Sequence, residues 1–197
     1  MLKVGITGGI GSGKTTACQI FERMGVPVYY ADVRAKQLME DDDQLVSQIK
    51  EHFGETMYLA GALQRADLAK IVFSDEKKLL LLNSLVHPVV QRDNDSWNQV
   101  LARKNYPYTL KEAALLVETG SYRQLDKLIV VTAPLEDRIK RVMARDGSTE
   151  EQVRARMAAQ LPEAEKVKLA QYIINNDAVM DLVPQVAHIH AELLQLN

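Results

Sequence analysis

Cysteine is nearly missing from this chain: Cys18 stands alone among 197 residues. That excludes an internal disulfide and any multi-cysteine metal site, and it fits a reducing compartment. An excess of one charge is missing too. Lysine and arginine number 24 against 26 aspartates and glutamates, a net charge of −2. A broad nucleic-acid or polyanionic-membrane surface is therefore disfavoured, and any anion site must be local. Long apolar runs are absent as well. The longest, residues 79–82 and 113–117, are far too short to cross a bilayer. No apolar core with a small-residue cleavage site follows Lys3. The chain shows no internal repeat and no low-complexity tract beyond the acidic run 40–43. A cytoplasmic protein is expected, with no nucleic acid, no membrane and no obligatory protein partner. What remains is ordinary for a globular protein, 47% apolar and 25% charged residues. The length suits one moderate domain with helical additions.

Short apolar or β-branched segments at 3–6, 28–30, 114–117, 128–131 and 172–174 read as strands, and helical patterns fill the intervals. That alternation predicts an α/β fold, a parallel sheet covered by helices on both faces. The first unit is the clearest: a strand, a glycine loop, a helix over 14–24, then Gly25 and Pro27 as terminator before strand two. The interval to strand three is too long for one crossover. It carries helical patterns at 32–40, 44–52, 66–73 and 76–86 and another begun by Pro88. The expected division is a nucleotide-binding core of 1–31, 114–133 and 170–197, a helical acceptor domain of 32–113, and a lid of 134–169. Ligands of open parallel sheets bind beyond the carboxyl ends of the strands, so the chemistry is sought there.

The loop after strand one reads Gly8-Gly-Ile-Gly-Ser-Gly-Lys-Thr-Thr16 and has the P-loop spacing. Its glycines let backbone N–H groups form a concave nest for phosphate oxygens, and the dipole of the next helix adds to the field. Gly11, Ser12, Gly13, Lys14, Thr15 and Thr16 are the candidate ATP-binding residues. Lys14 reaches the β- and γ-phosphates, and the Thr15 hydroxyl holds Mg²⁺. A side chain at 11 or 13 would block close approach of the backbone. Cys18, within the helix, reads as packing.

A P-loop serves GTPases, motors and small kinases. Neither an Asn-Lys-x-Asp guanine reader nor an Asp-x-x-Gly switch occurs, and the chain is short for a motor. A small kinase needs an acceptor pocket, a group for the acceptor hydroxyl and arginines for the transferring phosphoryl. Asp32, just after strand two, can orient the hydroxyl and take its proton late, or else cap the following helix. Glu118, ending the run 114–117, reads as a Walker B acid or an acceptor contact. Six basic residues against three acidic ones lie between Arg138 and Arg156. Arg138, Arg141 and Arg145 fall on one helical face, opposite a stripe of Leu135, Ile139, Val142 and Met143. As a group they read as a lid that clamps polyphosphate. His87, before Pro88, is a candidate for the acceptor, with Lys36, Arg65 and Arg92 as weaker ones. A kinase of another small alcohol or nucleotide, or an ATP-binding regulator without turnover, shares parts of this reading.

These residues together resemble the dephospho-coenzyme A kinase family over nearly the whole chain. The resemblance is carried by the loop 5–16, Ala31-Asp32, Phe53-Gly54, Gly61-Ala-Leu63, Arg65-Ala-Asp-Leu68, His87-Pro88, Leu115-Leu-Val-Glu118, Arg141 to Asp146, Arg156 to Gln160 and Ile173-Ile-Asn-Asn176. It implies transfer of the γ-phosphoryl of ATP to the ribose 3′-hydroxyl of dephospho-coenzyme A. Asp32 would be the base, Arg141 would lie on the lid side, Arg145 and Asn175 would lie near ATP, and residues 32–113 would bind the acceptor. The chain departs from the family's usual pattern at Tyr30, Gln64, Asn83, Ala114, Gln171 and Asp177.

Overall fold

The computed structural model describes residues 1–177 and 179–196. Two compact units divide the chain: Met1–Tyr30 with Leu101–Asn197, and Ala31–Val100. The break that sequence pattern put at 113/114 thus falls at 100/101.

The first unit is built on a parallel five-stranded sheet. Its strands are β1 (Leu2–Thr7), β2 (Val28–Tyr30), β5 (Tyr108–Glu112), β6 (Lys127–Thr132) and β7 (Tyr172–Asn175). Their order is β2-β5-β1-β6-β7. Helix α1 (Lys14–Arg23) and helix α9 (Leu182–Gln195) pack on one side. Val4, Ile6, Leu110, Ile129, Val131 and Ile174 from the sheet meet Phe21, Val186, Ile189 and Leu193 from those helices in one buried core. Burial above all, then Glu112 and Glu22, pushes the Cys18 thiol well up, with Lys14 opposing. Cys18 is fully buried and is packing, as its position in the helix suggested.

Strand three is not where apolarity put it. Residues 114–117, expected as the strand, form turns, and the strand is Tyr-Thr-Leu-Lys-Glu just before them. Thr109, Lys111 and Glu112 look like surface residues, yet all are buried in the middle of the sheet. The apolar run serves a different purpose. Leu116 and Leu125 close over Gly5 of β1, where a Cβ would collide with both.

Three helices follow β6: α6 (Leu135–Asp146), α7 (Glu150–Ala158) and α8 (Glu163–Val167). A second small core of Ile139, Val142 and Val153 joins α6 to α7, and Ile10 of the glycine loop packs into it. Thr149 and Gln152 cap α7 reciprocally.

The second unit holds α2 (Ala31–Asp41), α3 (Asp43–Phe53), a hairpin of β3 (Tyr58–Leu59) and β4 (Ala62–Leu63), α4 (Arg65–Phe73), and most of α5 (Glu76–Arg103). Pro88 does not start a helix, because α5 runs through it. Arg34 forks onto Asp93 at 2.8 and 2.9 Å, fastening α2 to α5. No helix of the described residues is long and apolar enough to cross a membrane.

Candidate active site

The glycine loop springs from the carboxyl end of β1 and runs into α1, as the spacing required. Gly13 takes a left-handed conformation, φ 97°, where an L side chain is strained. A Cβ there would strike the Asn176 side chain, and one at Gly11 would strike the Arg138 carbonyl and Val142. Both glycines therefore admit neighbouring protein to the outside of the loop. Lys14 Nζ donates to the Gly8 and Gly9 carbonyls at 3.1 and 3.4 Å. Thr15 and Thr16 are exposed in the first turn of α1. Ser12 is fully buried, and its hydroxyl finds no hydrogen-bond partner among the described residues.

Side chains from distant parts of the sequence hold the loop from outside. Arg138 Nε donates to the Ile10 carbonyl at 3.0 Å. Arg141 reaches the Gly11 carbonyl at 3.5 Å and the Asn176 carbonyl at 3.2 Å. Asn176 Nδ2 donates to the Ser12 carbonyl at 2.8 Å. The Ile10 N–H donates to Gln160 Oε1 at 2.9 Å. Arg138 thus departs from its expected place on an exposed arginine face. It is buried beside Ile139 and Val142 and pairs with Glu163 at 3.3 Å, while Leu135, expected in the apolar stripe, is exposed. Burial raises the Glu163 carboxyl above its usual range, with Arg138 opposing.

The acids also rearrange. Glu118 does not end a strand. It lies in the turns after β5, where its Oε1 stands 2.6 Å from Lys166 Nζ and accepts the Leu161 N–H at 3.1 Å. The acid that ends β5 is Glu112, buried and in register with Ile6 of β1 and Tyr30 of β2. Its charge and that of Lys14 both act on Cys18.

The other candidates have their own partners. Arg145 forks onto its neighbour Asp146 at 2.7 and 3.1 Å, and Arg156 joins them at 2.9 Å. These hydrogen bonds bring the Asp146 carboxyl down to about 2. Asn175 Oδ1 accepts from Thr132 Oγ1 at 2.9 Å, and the Asn175 N–H and carbonyl bond to Oε1 and Nε2 of the Gln185 side chain, which ties β7 to α9. In the second unit, Asp32 is exposed in the first turn of α2, inside the helix and not capping it. Arg65 binds Glu40 at 3.0 Å and the Lys36 carbonyl at 2.9 Å. His87 is exposed on α5.

The structure therefore brings the loop, Lys14 and Arg141 together with Arg138, and adds Gln160 and Asn176, while Glu112 takes the strand-end place expected of Glu118. Gln160 and Asn176 left a signal only as members of the family-like stretches 156–160 and 173–176, and Glu112 left one as an acid closing a strand, which sequence pattern put at 114–117 instead of Tyr108–Glu112.

Comparison with known proteins gives the chemistry. Residues 2–181 match the family model described as dephospho-CoA kinase. A dephospho-CoA kinase of Chlorobaculum tepidum is 40% identical over 199 residues, covering 98% of this chain and 95% of the relative. That of Escherichia coli K12 is 36% identical, covering 98% and 93%. A solved structure of the Campylobacter jejuni dephospho-CoA kinase superposes with a TM-score of 0.74 at 27% identity, covering 99% of this chain and 98% of that one. A glycine loop of P-loop spacing and relatives of one kind over 98% of the chain agree: the chain belongs to the dephospho-CoA kinase family.

Proposed function

We propose specific roles for these residues in the reaction of the family. That reaction is ATP-dependent phosphorylation of the ribose 3′-hydroxyl of dephospho-coenzyme A, the final step to coenzyme A. The hydroxyl oxygen forms a bond to the γ-phosphorus of ATP. The bond from that phosphorus to the bridging oxygen breaks, ADP leaves, and the hydroxyl proton passes to a base. The observation that carries the assignment is a glycine loop at the carboxyl edge of a parallel sheet, with Lys14 folded onto its carbonyls.

The loop N–H groups and the α1 dipole take the triphosphate. Lys14 exchanges the Gly8 and Gly9 carbonyls for phosphate oxygens, and Arg141, already on the loop, offsets charge on the transferring group. Arg145 and Asn175 are assigned to ATP, Arg145 after release from Asp146. Asp32 orients the hydroxyl and takes its proton late, while Arg65 and His87 serve the acceptor in a unit devoted to it. Helices α6 to α8 act as the lid.

Magnesium suits the donor set. The described residues contain no cluster of three or more His, Cys, Asp or Glu that could hold a metal, and Mg²⁺ carried by nucleotides needs only one or two protein oxygens beside phosphate and water. The exposed Thr15 hydroxyl would hold it, with Glu112 ordering its water. When bound, the ion offsets charge on the β- and γ-phosphates. We place the protein in the cytoplasm.

Asp32→Asn tests the assignment. Turnover with saturating ATP and dephospho-coenzyme A is expected to fall about 100-fold or more, the scale of a lost general base, with the KM for ATP unchanged. Turnover within about fivefold of wild type would remove Asp32 from the reaction.

A further inference from the structure

The residue Ile10 is held at three points by one part of the chain. Its side chain packs into the α6–α7 core. Its carbonyl accepts from Arg138 at 3.0 Å. Its N–H donates to Gln160 at 2.9 Å. The two peptides that meet at Ile10 are turned in opposite senses. In the Gly9–Ile10 peptide the carbonyl accepts from Lys14 at 3.4 Å and from the Ser12 N–H at 3.1 Å, while the N–H points away to Gln160. In the Ile10–Gly11 peptide the carbonyl is the group turned out, to Arg138, so the Gly11 N–H is turned in.

Nothing in the local sequence enforces this alternation. Glycines at 9 and 11 flank Ile10, and glycine rotates about φ and ψ with little steric resistance. The Gly9–Ile10 peptide borders a cleft of about 350 Å³, lined by Gly9, Arg138, Gln160 and Glu163 among others. If it turned, the Gly9 carbonyl would leave Lys14 and Ser12, and the loop would lose the shape that suits an anion. Turning would also part the Ile10 N–H from its acceptor, and Gln160 supplies that acceptor. Gln160 is itself placed from both sides. Its own N–H is bonded to Met157 of α7 at 3.0 Å, and the next residue, Leu161, is bonded to Glu118.

We propose that Gln160 is a positioning residue for phosphoryl transfer: by accepting the Ile10 N–H it fixes the Gly9–Ile10 peptide, and with it the phosphate loop and the resting place of Lys14. The inference rests on ATP occupying this loop.

Gln160→Met keeps the bulk and removes the acceptor. The kcat/KM for ATP is expected to fall about five- to 100-fold, the range set by an unsatisfied N–H. The KM for dephospho-coenzyme A should stay within about twofold. An equal rise in the KM for dephospho-coenzyme A, or ATP kinetics within about twofold of wild type, would overturn the proposal. A second measurement does not depend on that variant folding. In the wild-type enzyme without nucleotide, the Ile10 amide should be protected from deuterium exchange by NMR, and Gln160→Glu, which keeps an acceptor oxygen, should retain that protection. Free exchange of Ile10 in the wild type would also overturn it. Lys14→Ala separates the two claims: ATP use that survives in this variant refutes the loop as the ATP site, whereas loss there with normal Gln160→Met kinetics refutes only the role of Gln160.

Discussion

Glu118 and Lys166 form the most consequential ion pair in the first unit, and they can be tested by a thermodynamic cycle. Lys166 is fully buried, Glu118 is 15% exposed at the side chain, and the charged atoms are 2.6 Å apart. At an effective dielectric of about 20, two unit charges at that separation attract by about 6 kcal/mol. Desolvation of both ions offsets much of this, so the pair adds little net stability. Breaking it is another matter. Glu118→Gln keeps an oxygen for the Leu161 N–H but leaves a buried ammonium without its carboxylate, which costs about 3–5 kcal/mol. For a chain of this size that is about 6–20 °C in melting temperature.

Lys166→Met should cost less, because the remaining carboxylate keeps the Leu161 N–H. The double variant should be no less stable than Glu118→Gln alone. Urea unfolding with an unchanged m-value measures all three. Single effects that simply add, within about 0.5 kcal/mol, would refute the pair as a coupled unit. Activity sharpens the result. At a temperature where every variant is folded, Glu118→Gln should retain most ATP-dependent turnover, since Leu161 stays bonded, whereas Glu118→Ala should raise the KM for ATP. Loss of dephospho-coenzyme A binding in Glu118→Gln, with stability unchanged, would return Glu118 to the acceptor site.

Two further predictions rest on single contacts. Gly13→Ala forces an L residue to φ 97° and drives its Cβ into Asn176, so affinity for a non-hydrolysable ATP analogue should fall at least tenfold by calorimetry, and adding Asn176→Ala should recover only part of it. His190 meets the Tyr108 hydroxyl at 2.6 Å, and burial holds its imidazole below the ordinary value. The unfolded chain protonates near pH 6.5 and the folded one lower, so this contribution is intact above about pH 6.5 and is lost as pH falls toward the folded value. The melting temperature should therefore drop more between pH 7.5 and 5.5 in the wild type than in His190→Gln, and equal drops would refute it.

The parts of this enzyme legible in its sequence are those whose physics is local. β1, the glycine loop and α1 follow from an apolar run, backbone freedom and helix start signals within 25 residues. β2, β6 and β7 are legible to within a residue or two for the same reason. The third strand was misplaced because its polar residues are buried by neighbours on both sides, which a period-two pattern cannot show. The arginines illustrate the same limit at the site. Helical spacing put Arg138 and Arg141 on one side of α6, but it could not say that the phosphate loop would be their partner.

The loop itself makes the point most sharply. Its motif specifies which groups can bind phosphate, yet a stretch with four glycines in six residues has too little steric restraint to keep one shape. In this chain the restraint is imported from positions 138, 141, 160 and 176, between 128 and 164 residues away in sequence for the bonds of Arg138, Arg141, Gln160 and Asn176 to the loop. Glu118 extends the chain of support by one step, holding Leu161 beside Gln160 and anchoring Lys166 of α8. Helices α6 to α8 are thus more than a cover. If they move during turnover, the contacts at Ile10 must either move with the loop or break. Deuterium exchange at Ile10 with and without a bound ATP analogue distinguishes these: protection in both states means that loop and helices travel as one body, and protection lost on binding means that closure detaches them.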